Sequence, residues 1–135
     1  MDDLVFIALN SPGLETAQKA KAELGYGEVH GLEGRTSGAD VTFEATGPHL
    51  RALFNAGRRI AALMASGAVI RILASELADK HQEPAVIAAS LDGAHVVPLL
   101  GGHHGGNKLA NELAEALAGH AAITTGSDSI LGAAL

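Results

Sequence analysis

One pattern governs this chain: a short apolar run, a glycine-containing turn, then a stretch with helical spacing, repeated along its length. LVFIAL at 4–9 passes through NSPG into LETAQKAKAEL, where Leu14, Ala17, Ala20 (or Lys21) and Leu24 recur at helical intervals. VTFEAT at 41–46 passes through Gly47-Pro48 into HLRALFNAG, with Leu50, Leu53 and Phe54 on one face and Gly57 placed to end the helix. RIAALMA at 59–65 passes through Ser66-Gly67 into AVIRILASELADK, whose Val69, Ile72, Leu73 and Leu77 form the stripe to be buried. The last unit is HVVPLL, then GGHHGG, then a helix from about Asn107 to Ala118 carrying Leu109, Leu113 and Leu117, then AAITT as a closing strand.

Alternation of this kind packs as α/β, a mostly parallel sheet with helices on both faces. One segment departs from it. PAVIAASLDGAHVVPLL at 84–100 reads as two strands around Asp92-Gly93, a hairpin turn, and Pro98 in the second strand calls for an edge or a strand end there. Residues 25–40, Gly-rich and polar, are a short strand with exposed loops. No linker divides the chain, and 135 residues suit one domain with a real core, so the expectation is a single α/β domain over residues 1–135.

Composition narrows the function. With no cysteine, disulfides, iron–sulfur clusters and thiolate zinc sites are excluded. The net charge of −6, with nine Lys and Arg scattered rather than clustered, argues against a nucleic-acid partner. MDDLVFIALN opens with acids and holds too short an apolar run for a signal peptide or a spanning helix, so the expected location is the cytoplasm, with no membrane partner.

The chemistry concentrates around GGHHGG at 101–106. In parallel sheets the loops after the carboxyl ends of the strands gather on one edge, where ligands bind. That geometry predicts one rim shared by residues 10–13, 46–48, 66–67, 101–106 and 124–128. A helix amino terminus exposes unpaired N–H groups and partial positive charge, and so accepts anions. Gly105 and Gly106 precede a helix that Asn107 can cap, and Ser66-Gly67 opens another, with Arg71 one turn in. Two such ends on one rim suit a ligand with several carboxylates or phosphates. The Lys-Ser/Thr pair of a phosphate loop is missing and the glycine spacing is not GxGxxG, which disfavours ATP and NAD. His103 or His104 can act as general acid/base or as a donor to a carboxylate. A metal site is not expected, because adjacent histidines seldom chelate one ion and no HxH or HxxxH spacing occurs. The residues alone leave open whether the pair functions or merely sits exposed in a tight turn. His30, His49, His81, His95 and His120 stand singly and read as ordinary surface or half-buried side chains.

The ordered motifs from 58 to 130 resemble the cobalt-precorrin-5A hydrolases, corrin-ring enzymes of cobalamin biosynthesis. The matching positions are Gly67, Arg71, Lys80, Glu83-Pro84-Ala85-Val86, Asp92-Gly93, Leu99-Leu100, Gly102-His103, Gly105-Gly106-Asn107 and Ile123-Thr124-Thr125 with Asp128. Glu83 stands where that family usually has Asp, Gly101 where it has Ser, and His104 at a variable position, which makes His103 the better functional candidate. The resemblance implies a hydrolase whose water opens the δ-lactone of cobalt-precorrin-5A, with release of acetaldehyde. It also implies a polycarboxylate corrinoid held by Gly67, Arg71, Gly102, His104, Gly105, Gly106, Asn107, Thr124 and Thr125. The resemblance carries no catalytic assignment; on the rim geometry expected from sequence, His103 would serve as base and the N–H groups around Gly105 and Gly106 as oxyanion donors. No resident cofactor is implied, any cobalt being carried by the substrate. The family's full-length enzyme continues beyond the Thr-Thr-x-x-Asp motif. This chain is therefore expected to be its N-terminal and central region, made separately or as the leading part of a fusion with a precorrin methyltransferase acting at ring carbon 17. A non-catalytic corrinoid-docking domain beside such a methyltransferase, and a purely structural α/β module, are the rival expectations.

Overall fold

The computed structural model describes residues 3–78, 83–102 and 105–125. They form strands β1 (Leu4–Ala8), β2 (Glu28–Leu32), β3 (Val41–Phe43), β4 (Arg59–Leu63), β5 (Val86–Ala89), β6 (His95–Leu100) and β7 (His120–Ala121). Between them lie helices α1 (Ser11–Leu24), α2 (Thr46–Asn55), α3 (Ser66–Leu73) and α4 (Gly106–Leu117). All seven strands join one sheet in the order β3-β2-β1-β4-β5-β6-β7. β1 to β5 run parallel, β6 is antiparallel to β5, and β7 runs with β6.

The expected α/β class and the hairpin are both present. α1 is set by local chemistry at both ends: the Asn10 side chain accepts from the Gly13 N–H at 2.8 Å, Pro12 occupies the first turn, and Gly25 ends the helix at φ 85°. α2 starts at Thr46, before the expected Gly47-Pro48 turn. Pro48 fits inside that first turn, since the N–H it lacks would have had no intrahelical partner. α3 ends at Leu73 and tightens into a 3₁₀ turn at Ala74–Glu76, so Leu77 is 42% exposed and leaves the stripe that the spacing assigned it to. Of the closing AAITT only Ala121 is in β7.

β1, β4 and β5 are buried on both faces, as strands covered by helices on each side must be. Alternate residues divide the core. Leu4, Phe6, Ala61 and Ile87 pack with Leu14 and Ala17 of α1 and Leu109 and Leu113 of α4. Val5, Ile7, Ile60 and Val86 pack on the other face with Leu50, Leu53 and Phe54 of α2 and Val69 and Leu73 of α3. Pro98 falls opposite Ile87, at the register shift between β5 and β6 and beyond the residues of β6 that pair with β7, so no ladder bond is lost to its missing N–H.

Candidate functional site

The hairpin at Asp92-Gly93 reverses the chain, and this decides where each loop lies. Loops after β1, β2, β3 and β4 open on the carboxyl edge of the parallel strands; the loop after β6 and the residues after β7 open on the opposite edge. The single rim expected from sequence is therefore two rims. Gly67, in the first turn of α3, lies on the carboxyl edge, and Gly102, Gly105, Gly106, Asn107, Thr124 and Thr125 lie on the other. Arg71 is exposed in the last turn of the eight-residue α3, not beside that helix's amino terminus. The two helix amino termini face opposite edges and do not converge on one ligand. His103 and His104, like Lys80 and Asp128, lie outside the described residues.

On the carboxyl edge, where the strand order reverses between β1 and β4, Leu9, Asn10, Leu63, Met64, Ala65 and Ser90 border an open cleft of about 380 Å³. Its lining is mainly apolar and, among the described residues, includes none of the Gly/His loop. Most of the motif residues meet on the amino edge instead. Gly101 adopts φ 69° and lies so close to the start of β5 that a Cβ there would fall 2.7 Å from the Pro84 carbonyl oxygen and 2.8 Å from Ala85 Cα. Gly106 packs in turn on Gly101: its N–H donates to the Gly101 carbonyl at 3.0 Å, and a Cβ would fall 2.8 Å from that oxygen. Gly105, at φ 93°, is the left-handed residue that opens α4. These glycines let the backbone close on itself, and they bring Gly101 against Pro84-Ala85 and Gly106 against Gly101.

Two expected roles change as a result. The Gly106 N–H is spent inside the loop, so it is not a ready oxyanion donor. Asn107 does not cap α4; its amide lies over Gly102 and its Nδ2 donates to the Thr125 hydroxyl at 3.1 Å. That bond ties the helix start to the segment after β7. Thr125 is half-buried and Thr124 exposed. Among the described residues the site is thus Gly101, Gly102, Gly105 and Gly106 at a helix start, with Pro84-Ala85 against Gly101 and Thr125 bonded to Asn107.

A model described as Cobalamin synthesis G N-terminal matches residues 48–128, more than half of the chain. The chain belongs to that family. Two curated cobalt-precorrin-5A hydrolases are similar to it. That of Priestia megaterium is 41% identical over 80 residues, 58% of this chain and 21% of the relative. That of Salmonella typhimurium is 43% identical over 65 residues, 47% of this chain and 18% of the relative. The chain thus spans about a fifth of the length of the curated relatives it matches. A solved structure, a cobalamin biosynthesis protein G homolog from Sulfolobus solfataricus, superposes with a TM-score of 0.68 at 22% identity, covering 90% of this chain and 36% of that one. The two share the fold.

Within this family member, sequence reasoning missed one grouping. His30 and His49, read as unrelated histidines, meet at 2.8 Å, with Glu28 on the far nitrogen of His30. The Glu28-x-His30 spacing on a strand, which points both side chains to one face, was the available signal. Among the described residues no helix is long and apolar enough to cross a membrane.

Proposed function

We propose that this chain is the corrinoid-handling, leading region of a cobalt-precorrin-5A hydrolase. In that reaction water opens the δ-lactone and the extruded meso carbon leaves with its methyl group as acetaldehyde. The observation that carries the reading is the family match over residues 48–128, which spans the Gly/His loop. The amino-edge loop supplies what the substrate needs. A corrinoid of this stage presents acetate and propionate arms, and a helix start opened by Gly105 offers backbone N–H groups and partial positive charge to a carboxylate. Thr124 and Thr125 add hydroxyls beside it. His103, between Gly102 and Gly105 in the sequence, is the proposed base for the attacking water, and any cobalt arrives inside the macrocycle. Gly67 and Arg71, whose helix begins on the other edge, drop out of the contact set at the loop's helix start. Residues 1–135 act here as one α/β unit.

The test is to incubate the chain, alone and within a longer hydrolase chain, with cobalt-precorrin-5A, following acetaldehyde and the corrinoid spectrum together. Acetaldehyde that depends on His103 supports the assignment. A spectral shift without acetaldehyde in either context reduces the chain to a docking domain, as beside a precorrin methyltransferase. No response in either context removes the corrinoid reading.

A further inference from the structure

Glu28 and His30 sit two apart on β2, so both side chains leave the face of the sheet that α2 covers. The fold lays His49, from the first turn of α2, against them. His30 Nδ1 and His49 Nε2 are 2.8 Å apart, and His30 Nε2 is 3.1 Å from Glu28 Oε1. The Arg58 guanidinium, just ahead of β4, donates to the same carboxylate oxygen at 2.9 Å. The His49 ring stacks on Phe43 of β3, centroids 4.4 Å apart and planes within 5°. His30 is 4% exposed, the one fully buried polar side chain among the described residues.

The protons in this array can be placed by elimination. An ionised carboxylate only accepts, so His30 Nε2 carries a hydrogen; in a neutral ring Nδ1 is then an acceptor, and His49 Nε2–H donates to it. One added proton can be held without loss: His30 becomes an imidazolium between Glu28 and a neutral His49, and its Nδ1–H now donates to His49 Nε2. A second proton cannot be held. Two N–H groups would face each other at 2.8 Å with no acceptor between them.

We propose that His30 and His49 form a one-proton couple that latches α2 to the β2–β3 edge of the sheet, and that entry of a second proton opens the latch. Among the described residues the charged groups acting on the couple are Glu28 on β2, Arg58 ahead of β4 on the same carboxylate and, more weakly, Asp40 ahead of β3, which Lys21 of α1 pairs. β1 and β3 present the apolar side chains of Ile7 and Phe43. His49 is held below the ordinary imidazole range, first by burial and then by the charge of His30. For an imidazole shifted down in the folded state, the open state binds more protons below an ordinary value of about 6.5. The latch therefore holds above that value and is lost as pH falls through the lower value of folded His49. Because β3 is an edge strand, opening can stay local, leaving the α1–α4 layer closed.

The test is an imidazole ¹⁵N NMR titration of the whole chain, with amide hydrogen exchange followed over the same pH range. The expected result is two separated protonation steps shared by His30 and His49, the second coinciding with faster exchange in α2 and β3 but not in α1 or α4. His49→Gln keeps a donor toward His30 Nδ1 and takes up no proton, so its second step and its acid-induced exchange should both disappear. Independent single-step titration of the two rings in the unmodified chain would overturn the proposal, whether or not the variant folds. So would acid-induced exchange in α2 that is the same in His49→Gln as in the unmodified chain.

Discussion

The Gly loop makes a demand that can be separated from ligand binding, and Gly106→Ala isolates it. An added Cβ would lie 2.8 Å from the Gly101 carbonyl oxygen, 3.0 Å from its carbon and 3.2 Å from the Leu100 oxygen, all backbone atoms that cannot rotate away. Overpacking of this kind costs about 1–3 kcal/mol. Pushing the helix start back also strains the 3.0 Å bond from the Gly106 N–H to the Gly101 carbonyl, worth about 1 kcal/mol. Against this, alanine in a helix recovers up to about 1 kcal/mol relative to glycine. The net expectation is a loss of about 2 kcal/mol, a urea midpoint lower by about 1 M at the slope usual for small domains. Gly67→Ala is the internal control, the same chemical change in the first turn of α3, where nothing lies within 4 Å of the new methyl and φ is not positive. It should raise stability by up to about 1 kcal/mol. Urea unfolding followed by circular dichroism measures both. A Gly106→Ala midpoint at or above that of the unmodified chain would refute the packing argument, and so would an equal fall in Gly67→Ala.

Asn107→Ala removes the bond to Thr125 and should cost about 1 kcal/mol, seen as faster amide exchange in 122–125 with α1 unchanged. Asp40 is held below the usual carboxylate range, first by the Val29 N–H at 2.8 Å and then by the hydrogen bond from Lys21. A depressed carboxyl stabilises above its unfolded value of about 3.9 and loses that contribution as pH falls through its folded value; Asp40→Asn should therefore flatten stability against pH below about 4, while a slope like that of the unmodified chain would count against it. Phe6→Ala empties a fully buried site whose ring fills the space beside Gly27, and should cost about 3–5 kcal/mol in thermal or urea unfolding.

Much of the fold was legible because its causes are local. The 3.6-residue spacing of Leu14, Ala17 and Ala20 specifies a buried face wherever the helix is placed, and the structure buries those three residues. Asn10 and Gly25 cap α1 through equally local chemistry, which the helical spacing did not single out. Asp92-Gly93 turns the chain, with Gly93 at φ 76° and the Asp92 carboxylate accepting from the Ala94 N–H. Family membership was legible too, in motifs spread over the matched segment. The stripe assigned to Leu77 failed at its end, where α3 gives way to a 3₁₀ turn and the periodicity no longer describes the backbone.

By itself, then, the sequence determined the elements, their order, the α/β class and the family, since each follows from short-range periodicity, turn chemistry or motif order. Only the tertiary structure decided which edge each loop occupies. A loop's edge depends on the direction of the strand before it, and one hairpin inverts that direction for everything after β5. That inversion separates Gly67 from Gly106, although each follows a strand and opens a helix in the sequence. Packing alone likewise joined His30 to His49 across 19 residues and turned Gly101 and Gly106 into a backbone contact, because sheet register and helix docking, not spacing along the chain, set those distances.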